Sequence, residues 1–338
     1  MKFLQHKNIK IFINYFLGPL LFVWVSYSIY LQVKRQPHLE TSWRTIQDSF
    51  FSRNIWNLFF VFILMIVNWS TEAFKWKLSV QRIQKVSFFT AFKAILSGTS
   101  FSVTTPNRVG EYFGRVLYMD DGNRLKAISL TIAGSMSQLI VTLVMGWLGL
   151  LLLRGSIESG HILSGIWLQA MIYGVFFVIV ILTVFYFRLS LIIKVIDRLP
   201  GIRKYTWLIQ GLEDFNATLM LQLLSLSAVR FLVFIIQYYL LFRLFGVDVT
   251  WWQGLWAVSV SFLVMAVIPT IALFTDLSLR GQVSLKLLGL FSTNNLGISL
   301  ASASIWFINL IVPALAGSLL ILSIKKIFKN NNNNEEKT

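Results

Sequence analysis

The sequence predicts an all-α polytopic membrane protein with about six full transmembrane helices and two broken or re-entrant helical hairpins, arranged as an inverted-topology repeat. Three observations carry this reading. Apolar side chains make up 56% of the 338 residues and charged ones only 13%, a balance far oilier than that of a soluble domain. Several apolar runs come near the roughly 20 residues needed to cross a bilayer core. Two more apolar runs are interrupted near their centres by proline and charged side chains.

The full spans are read at about Ile11 to Leu31, Ile55 to Ala73, Ala127 to Leu153, Ser164 to Phe187, Ser227 to Gly246 and Gly297 to Ile324. The broken regions are about Phe88 to Met119 and Trp251 to Leu290. No small-residue cleavage site follows the first apolar run, so it reads as a retained span. Positive charge sets the topology. Lys2, Lys7 and Lys10 precede the first span; Lys75, Lys77, Arg82 and Lys85 follow the second; Arg188, Lys194, Arg198, Arg203 and Lys204 follow the fourth; Lys325, Lys326 and Lys329 follow the last. All four clusters share one side, predicted to be cytoplasmic with both termini, if each broken region enters and leaves on the same face. The loop from Gln32 to Asn54 then lies outside despite Lys34, Arg35, Arg44 and Arg53.

Residues 1–329 read as one integral-membrane domain, with halves at about 1–160 and 161–325, and residues 330–338 as a solvated, disordered polar tail. Each half runs span, span, broken hairpin, span, with the first hairpin entering from the cytoplasm and the second from outside. Hairpins at corresponding places in inverted halves are the sequence pointer to a transport site near the bilayer midplane. Eight to ten ordinary helices with two proline kinks would keep the same parity. The formal charge of +16 points to anionic lipid headgroups as partner and not to nucleic acid. The chain has no cysteine, so disulfides and thiolate metal sites are excluded. His6, His38 and His161 stand far apart, and no metal site or cofactor is expected.

Within the first hairpin, Pro106 lacks an amide donor and pushes Thr105 away from helix. A helix from about Phe88 should therefore end near Ser102, and a new one should begin after Pro106. The tip, with Pro106 and Asn107, offers Ser, Thr and Asn side chains that can cap the new helix. At about 100° per residue, Arg108, Glu111 and Arg115 lie within about 60° of one another on the second arm. An ionised side chain near the bilayer centre costs about 2.5 to 3.5 kcal/mol on the lenient insertion scale. Glu111 and Arg115, at i and i+4, can pair; one cation is left over beside a helix N-terminus, and together these favour an anion. Lipid phosphate is the anion at hand, and guanidinium binds it through paired donors. A salt-bridged staple that only holds the hairpin is the alternative. The second hairpin repeats the pattern: Pro269 and Thr270 form its tip, and Asp276 pairs with Arg280 at i and i+4.

The run Pro106-Asn-Arg-Val-Gly-Glu-Tyr-Phe-Gly-Arg115 resembles the P-x-R-x-G-E-x-x-x-R element of the lysylphosphatidylglycerol synthase transmembrane family, also called flippase-like membrane proteins. Ile268-Pro269-Thr270, followed by Asp276 and Arg280, resembles that family's second hairpin, which often reads I-P-T-P-G-G-x-G before an acid. Here Ile271, Ala272 and Leu273 follow Pro269 and Thr270, in place of that Pro-Gly-Gly. The resemblance implies a bacterial cytoplasmic-membrane protein that moves an anionic, aminoacylated or polyprenyl-linked lipid between leaflets. The tail is too short for the aminoacyl-transfer domain of the named synthases, so no synthase activity is expected. Arg108, Glu111, Arg115, Asp276 and Arg280 would line the headgroup site. Homo-oligomerisation is left open.

Two other classes are carried beside this one. A lipid-modifying membrane enzyme would use Asp120 and Asp121 to hold Mg²⁺ against a diphosphate, although a solvated turn explains the pair as well. A non-transporting scaffold of the same fold is the third. Among single residues, Lys93 and Arg230 are candidate phosphate ligands, with Arg230 read first as snorkelling to the headgroups. Glu72 reads as an interface pair with Lys75 at the end of the second span. Trp24, Trp56, Trp69, Trp76, Trp147, Trp251 and Trp252 read as interfacial anchors, and Leu189 to Leu224 as an amphipathic helix pair on the cytoplasmic surface.

Overall fold

A computed structural model describes residues 54–103, 105–188, 216–270 and 275–321, together with a few single positions before residue 54. Ten helices are described from residue 54 onward, and no strand occurs among the described residues. They are α1 (Ile55–Val80), α2 (Phe88–Ser102), α3 (Gly110–Val116), α4 (Arg124–Leu152), α5 (Arg154–Ser159), α6 (Gly165–Phe187), α7 (Ala217–Leu244), α8 (Trp251–Val267), α9 (Asp276–Leu288) and α10, which starts at Asn295 and runs to Ile321 through a π-helical turn at Phe307–Ile311. Five of these, α1, α4, α6, α7 and α10, are long and apolar enough to cross a membrane. The protein is a polytopic helical membrane protein. The first predicted span, Ile11 to Leu31, the tail 330–338, and residues 189–215 of the amphipathic stretch lie outside the described residues.

Local chemistry explains several of the helix starts. Ser87 caps α2 by accepting from the Thr90 amide at 3.1 Å, and Asn216 and Asn294 cap α7 and α10 in the same way. Thr250 and Gln253 close a reciprocal capping box at the start of α8. Two boundaries differ from the sequence reading. Helix α1 continues seven residues past Ala73, because Glu72 and Lys75 are buried and paired rather than placed at a headgroup boundary. Helix α7 starts ten residues before Ser227, so residues 217–224, read as part of a surface helix, are its first two turns.

Helix α1 lies along α7, and α4 packs against both α7 and α8. Each hairpin packs arm to arm, α2 on α3 and α8 on α9, and its first arm rests on a long helix, α2 on α1 and α8 on α7. Lipid tails are as apolar as leucine, so close backbone approach and polar contacts hold such helices together. Gly146 and Gly149 of α4 provide that approach to α8: a Cβ at Gly146 would lie 2.5 Å from Leu263 Cβ, and one at Gly149 would lie 2.9 Å from the Trp256 carbonyl oxygen. Gly317 does the same for α10 against the Leu96 carbonyl of α2. Helix α6 packs on α4 and turns Ile166, Trp167, Tyr173 and Phe177 outward.

Candidate functional site

The two hairpin tips touch. Helix α2 ends at Ser102, and Thr105 Oγ1 accepts from the Gly110 amide at 2.7 Å to start α3, so a threonine of the tip caps the second arm. Between them Asn107 and Arg108 take left-handed backbone, with φ of 49° and 58°. Asparagine tolerates that region; arginine does so at a cost of about 1–2 kcal/mol. Held this way, the Asn107 amide donates to the Thr270 carbonyl of the second tip at 3.0 Å. Pro106 and Pro269 are exposed at this junction.

Behind the first tip lies a buried charge cluster centred on Glu72. Its Oε1 accepts from Arg115 Nη2 at 2.9 Å, and its Oε2 faces Lys75 Nζ at 2.9 Å and also takes Arg230 Nη1. Three cations from α1, α3 and α7 thus converge on one carboxylate that is 5% exposed. Arg115 is shared with Glu111, four residues before it. The cluster extends sideways: Arg230 Nε donates to Asn68 Oδ1 at 2.8 Å, and Asn68 Nδ2 donates to Asn309 Oδ1 at 3.3 Å on the π turn of α10. Lys75 Nζ also donates to Ser227 Oγ at 3.3 Å, and Ser227 pairs with Ser137 of α4 at 2.8 Å. Removing one partner from a buried ion pair costs about 3–5 kcal/mol, so each member is bound to the others.

A second cluster lies behind the second tip. Asp276, buried at the start of α9, accepts from Arg280 Nη2 at 3.2 Å, and Arg280 Nη1 donates to the Tyr238 hydroxyl of α7 at 3.3 Å. The Arg280 guanidinium also sits 6.0 Å from the Phe262 ring centre, within reach of a cation–π contact. Arg108, half exposed, reaches across from the first tip to 3.9 Å of the same aspartate. Taken together, the five cations Lys75, Arg108, Arg115, Arg230 and Arg280 face the three carboxylates Glu72, Glu111 and Asp276.

The sequence model described as the Lysylphosphatidylglycerol synthase TM region matches residues 13–282, which include both hairpin tips and every charged residue of the two clusters. The chain belongs to the lysylphosphatidylglycerol synthase transmembrane family. No curated protein and no solved structure matches it. Membership places the chain among membrane proteins related to lipid modification or translocation.

In this lysylphosphatidylglycerol synthase-type membrane region, the structure brings together most of the residues singled out by sequence. Glu111 pairs with Arg115 and Asp276 with Arg280. Three readings are corrected. Arg108 does not share a helical face with Glu111 and Arg115, because α3 begins only at Gly110 and the left-handed turn swings Arg108 to Asp276. Arg230 does not snorkel: it sits at the middle of α7, is 9% exposed, and is held by Glu72 and Asn68. Glu72 is not an interface pair at a span end but the centre of the first cluster. Lys93 is exposed on α2 and joins no ion pair among the described residues.

Sequence reasoning also missed Asn68, Asn309, Ser137, Ser227 and Tyr238. The available signal was spacing: Asn68, Glu72 and Lys75 stand at i, i+4 and i+7 inside an apolar run, a polar stripe that a helix places on one face. Two tryptophans change role as well. Trp76 is fully buried and donates to Thr131 Oγ1 at 3.0 Å, and Trp69 is buried with the Arg230 guanidinium 5.8 Å from its ring centre. Trp56 and Trp252 are exposed, as anchors would be, and Trp24 lies outside the described residues. Asp120 and Asp121 are exposed, and Asp121 pairs with Arg124. Among the described residues, no three His, Cys, Asp or Glu side chains converge.

Proposed function

We propose that this chain is a flippase-like transporter that moves an anionic lipid, aminoacylated or polyprenyl-linked forms included, between leaflets of a bacterial cytoplasmic membrane. The observation that carries the reading is the excess of cations over carboxylates at the meeting of two hairpins. Charges buried among membrane helices are expensive, and default to substrate paths or coupled sites. A residual positive charge presented by guanidinium groups selects phosphate through paired donors. The lipid's acyl chains would stay in the bilayer while its headgroup crosses past the tips.

Contacts that fit an inverted repeat support the reading. If α1, α2, α3, α4 correspond to α7, α8, α9, α10, the pair α1–α7 maps onto itself, and α4 on α8 maps onto α10 on α2, a contact made by Gly317 on Leu96. Side chains follow the same exchange. Arg115 binds an acid four residues before it and a group on α1; Arg280 binds an acid four residues before it and a group on α7. Asn68–Asn309 joins α1 to α10 as Ser227–Ser137 joins α7 to α4. Transporters built from such halves bind substrate at the repeat interface, near the midplane.

The test is transbilayer movement of a fluorescent phosphatidylglycerol in proteoliposomes, read by quenching from one side. Arg115→Gln and Arg280→Gln should each slow the movement at least about tenfold, the equivalent of about 1.4 kcal/mol of lost interaction. Wild-type rates from both variants, with folding verified, would return the clusters to the role of a static staple.

A further inference from the structure

Glu72 is held as a bound anion is held. Its two oxygens take Arg115, Lys75 and Arg230, from three different helices. Further donors in the neighbourhood nevertheless go unmatched. Among the described residues, Arg115 Nε, Asn309 Nδ2 and Trp69 Nε1 are buried without any acceptor. All three belong to the same neighbourhood: Arg115 binds Glu72 directly, Asn309 binds it through Asn68 and Arg230, and the Trp69 ring faces Arg230. Buried native donors are rarely left unsatisfied, and each costs about 1–3 kcal/mol when it is. Surplus donors and surplus positive charge both call for a second anion with more oxygens than a carboxylate.

Resting on the transport reading above, we propose that Glu72 is a built-in counter-anion that a phosphate ester displaces from Arg115 and Arg230. Both guanidinium groups are then turned to the phosphate oxygens, and Glu72 keeps only Lys75, three residues along its own helix. Lys75 is positioned for this by Ser227. The displacement also cuts the charged links from α1 to α3 and from α1 to α7. Occupancy of the site thereby loosens α1, a long helix, from a hairpin arm and from the long helix packed along it. Site occupancy and helix separation become one event, which is what alternating access needs.

The experiment measures retention of phosphatidylglycerol against phosphatidylcholine by the purified full chain, by native mass spectrometry, with inorganic phosphate added as a competitor. Glu72→Gln removes the counter-anion but leaves three buried cations together, so the charge-matched pair Glu72→Gln/Lys75→Met is measured beside it. Retention of phosphatidylglycerol should rise about tenfold in the charge-matched variant, about 1.4 kcal/mol of removed competition, and should be lost in Arg115→Gln and Arg230→Gln. The chain has no cysteine, so spin labels at Phe74→Cys on α1 and Val229→Cys on α7, both outward-facing, report the helix separation with the cluster intact. Phosphatidylglycerol should lengthen or broaden that distance, and phosphatidylcholine should not.

If inorganic phosphate alone reproduces both effects and competes the lipid away, the counter-anion role is upheld with a free phosphate as ligand. Folded Glu72→Gln/Lys75→Met with unchanged retention, and an α1–α7 distance indifferent to phosphatidylglycerol, would overturn the counter-anion role while loss of lipid in Arg115→Gln left the lipid site standing. Wild-type retention in both arginine variants would overturn the site itself.

Discussion

Gly114→Ala, one methyl group away from Arg115, should damage the hairpin more than most deletions of a charge. Helices α2 and α3 touch through glycine: a Cβ at Gly114 would lie 2.4 Å from Gly98 Cα, 2.6 Å from Gly98 N and 2.6 Å from the Ser97 carbonyl oxygen. All three are backbone atoms, so no rotamer change makes room, and α3 must retreat by about 1 Å to restore ordinary contact. Overpacking of this kind costs about 1–3 kcal/mol, and here the contact with backbone sets the upper end. Alanine's better helix propensity returns about 0.5–1 kcal/mol, leaving a net loss of about 2 kcal/mol. Arg115 is the next residue and bonds Glu72 at 2.9 Å; a 1 Å retreat takes that contact outside hydrogen-bond range. The control is Gly281, the residue after Arg280, where a Cβ meets nothing within 4 Å. Gly281→Ala should be neutral or stabilising by up to about 1 kcal/mol. Thermal unfolding in one detergent–lipid mixture should place Gly114→Ala several degrees below Gly281→Ala, at about 2–4 °C per kcal/mol. Equal unfolding temperatures, or a Gly114→Ala protein with wild-type lipid movement, would refute the close α2–α3 contact as what positions Arg115.

Two further predictions concern the second cluster. Asp276→Asn leaves Arg280 and Arg108 without their shared carboxylate and should destabilise by about 3 kcal/mol or more, with Asp276→Asn/Arg280→Gln recovering part of the loss in the same melts. Arg108→Gly should keep or slightly raise the unfolding temperature, because glycine takes a φ of 58° without strain, while lowering lipid movement in the liposome assay; Arg108→Val, β-branched at the same place, should lower both.

The breaks in the fold were legible because proline and local caps act within a few residues. Pro106 placed the end of α2 at Ser102, where the structure has it, and the i and i+4 acid–arginine pairs on α3 and α9 needed only helical spacing. Glu72 and Arg230 were legible as charges but not as partners. They are 158 positions apart, and a hydropathy reading treats a lone charge near the end of an apolar run as the membrane boundary. The same habit clipped α1 at Ala73 and α7 at Ser227. Their burial depends on partners contributed by other helices, α3 and α7 for Glu72 and α1 for Arg230, and one sequence does not state which faces meet. The turn at Asn107 and Arg108 was hidden for a different reason: helical periodicity extends smoothly through Arg108, and the left-handed backbone there goes with a contact to Thr270 that no local pattern shows.

The two clusters are alike in pattern but not in charge, and the difference orders the structure. Arg115 finds an anion, Glu72, on its long helix, whereas Arg280 finds a neutral hydroxyl, Tyr238, on the corresponding one. The first hairpin is therefore tied to α1 by charge. The second hairpin is tied to the first, because Asp276 reaches Arg108 and Thr270 accepts from the Asn107 amide. Among the described residues, the first tip is joined to the second hairpin through residues 107 and 108, by one hydrogen bond and one long ion pair. The left-handed backbone at Asn107 and Arg108 stands where the two tips meet, and the arginine carries its cost of about 1–2 kcal/mol. Among the described residues, the short ion pairs lie within each hairpin and between the first hairpin and its supporting helix, and the tie between the hairpins is the long one. That gradient is what two elements need if they are to separate around a charged headgroup without unfolding.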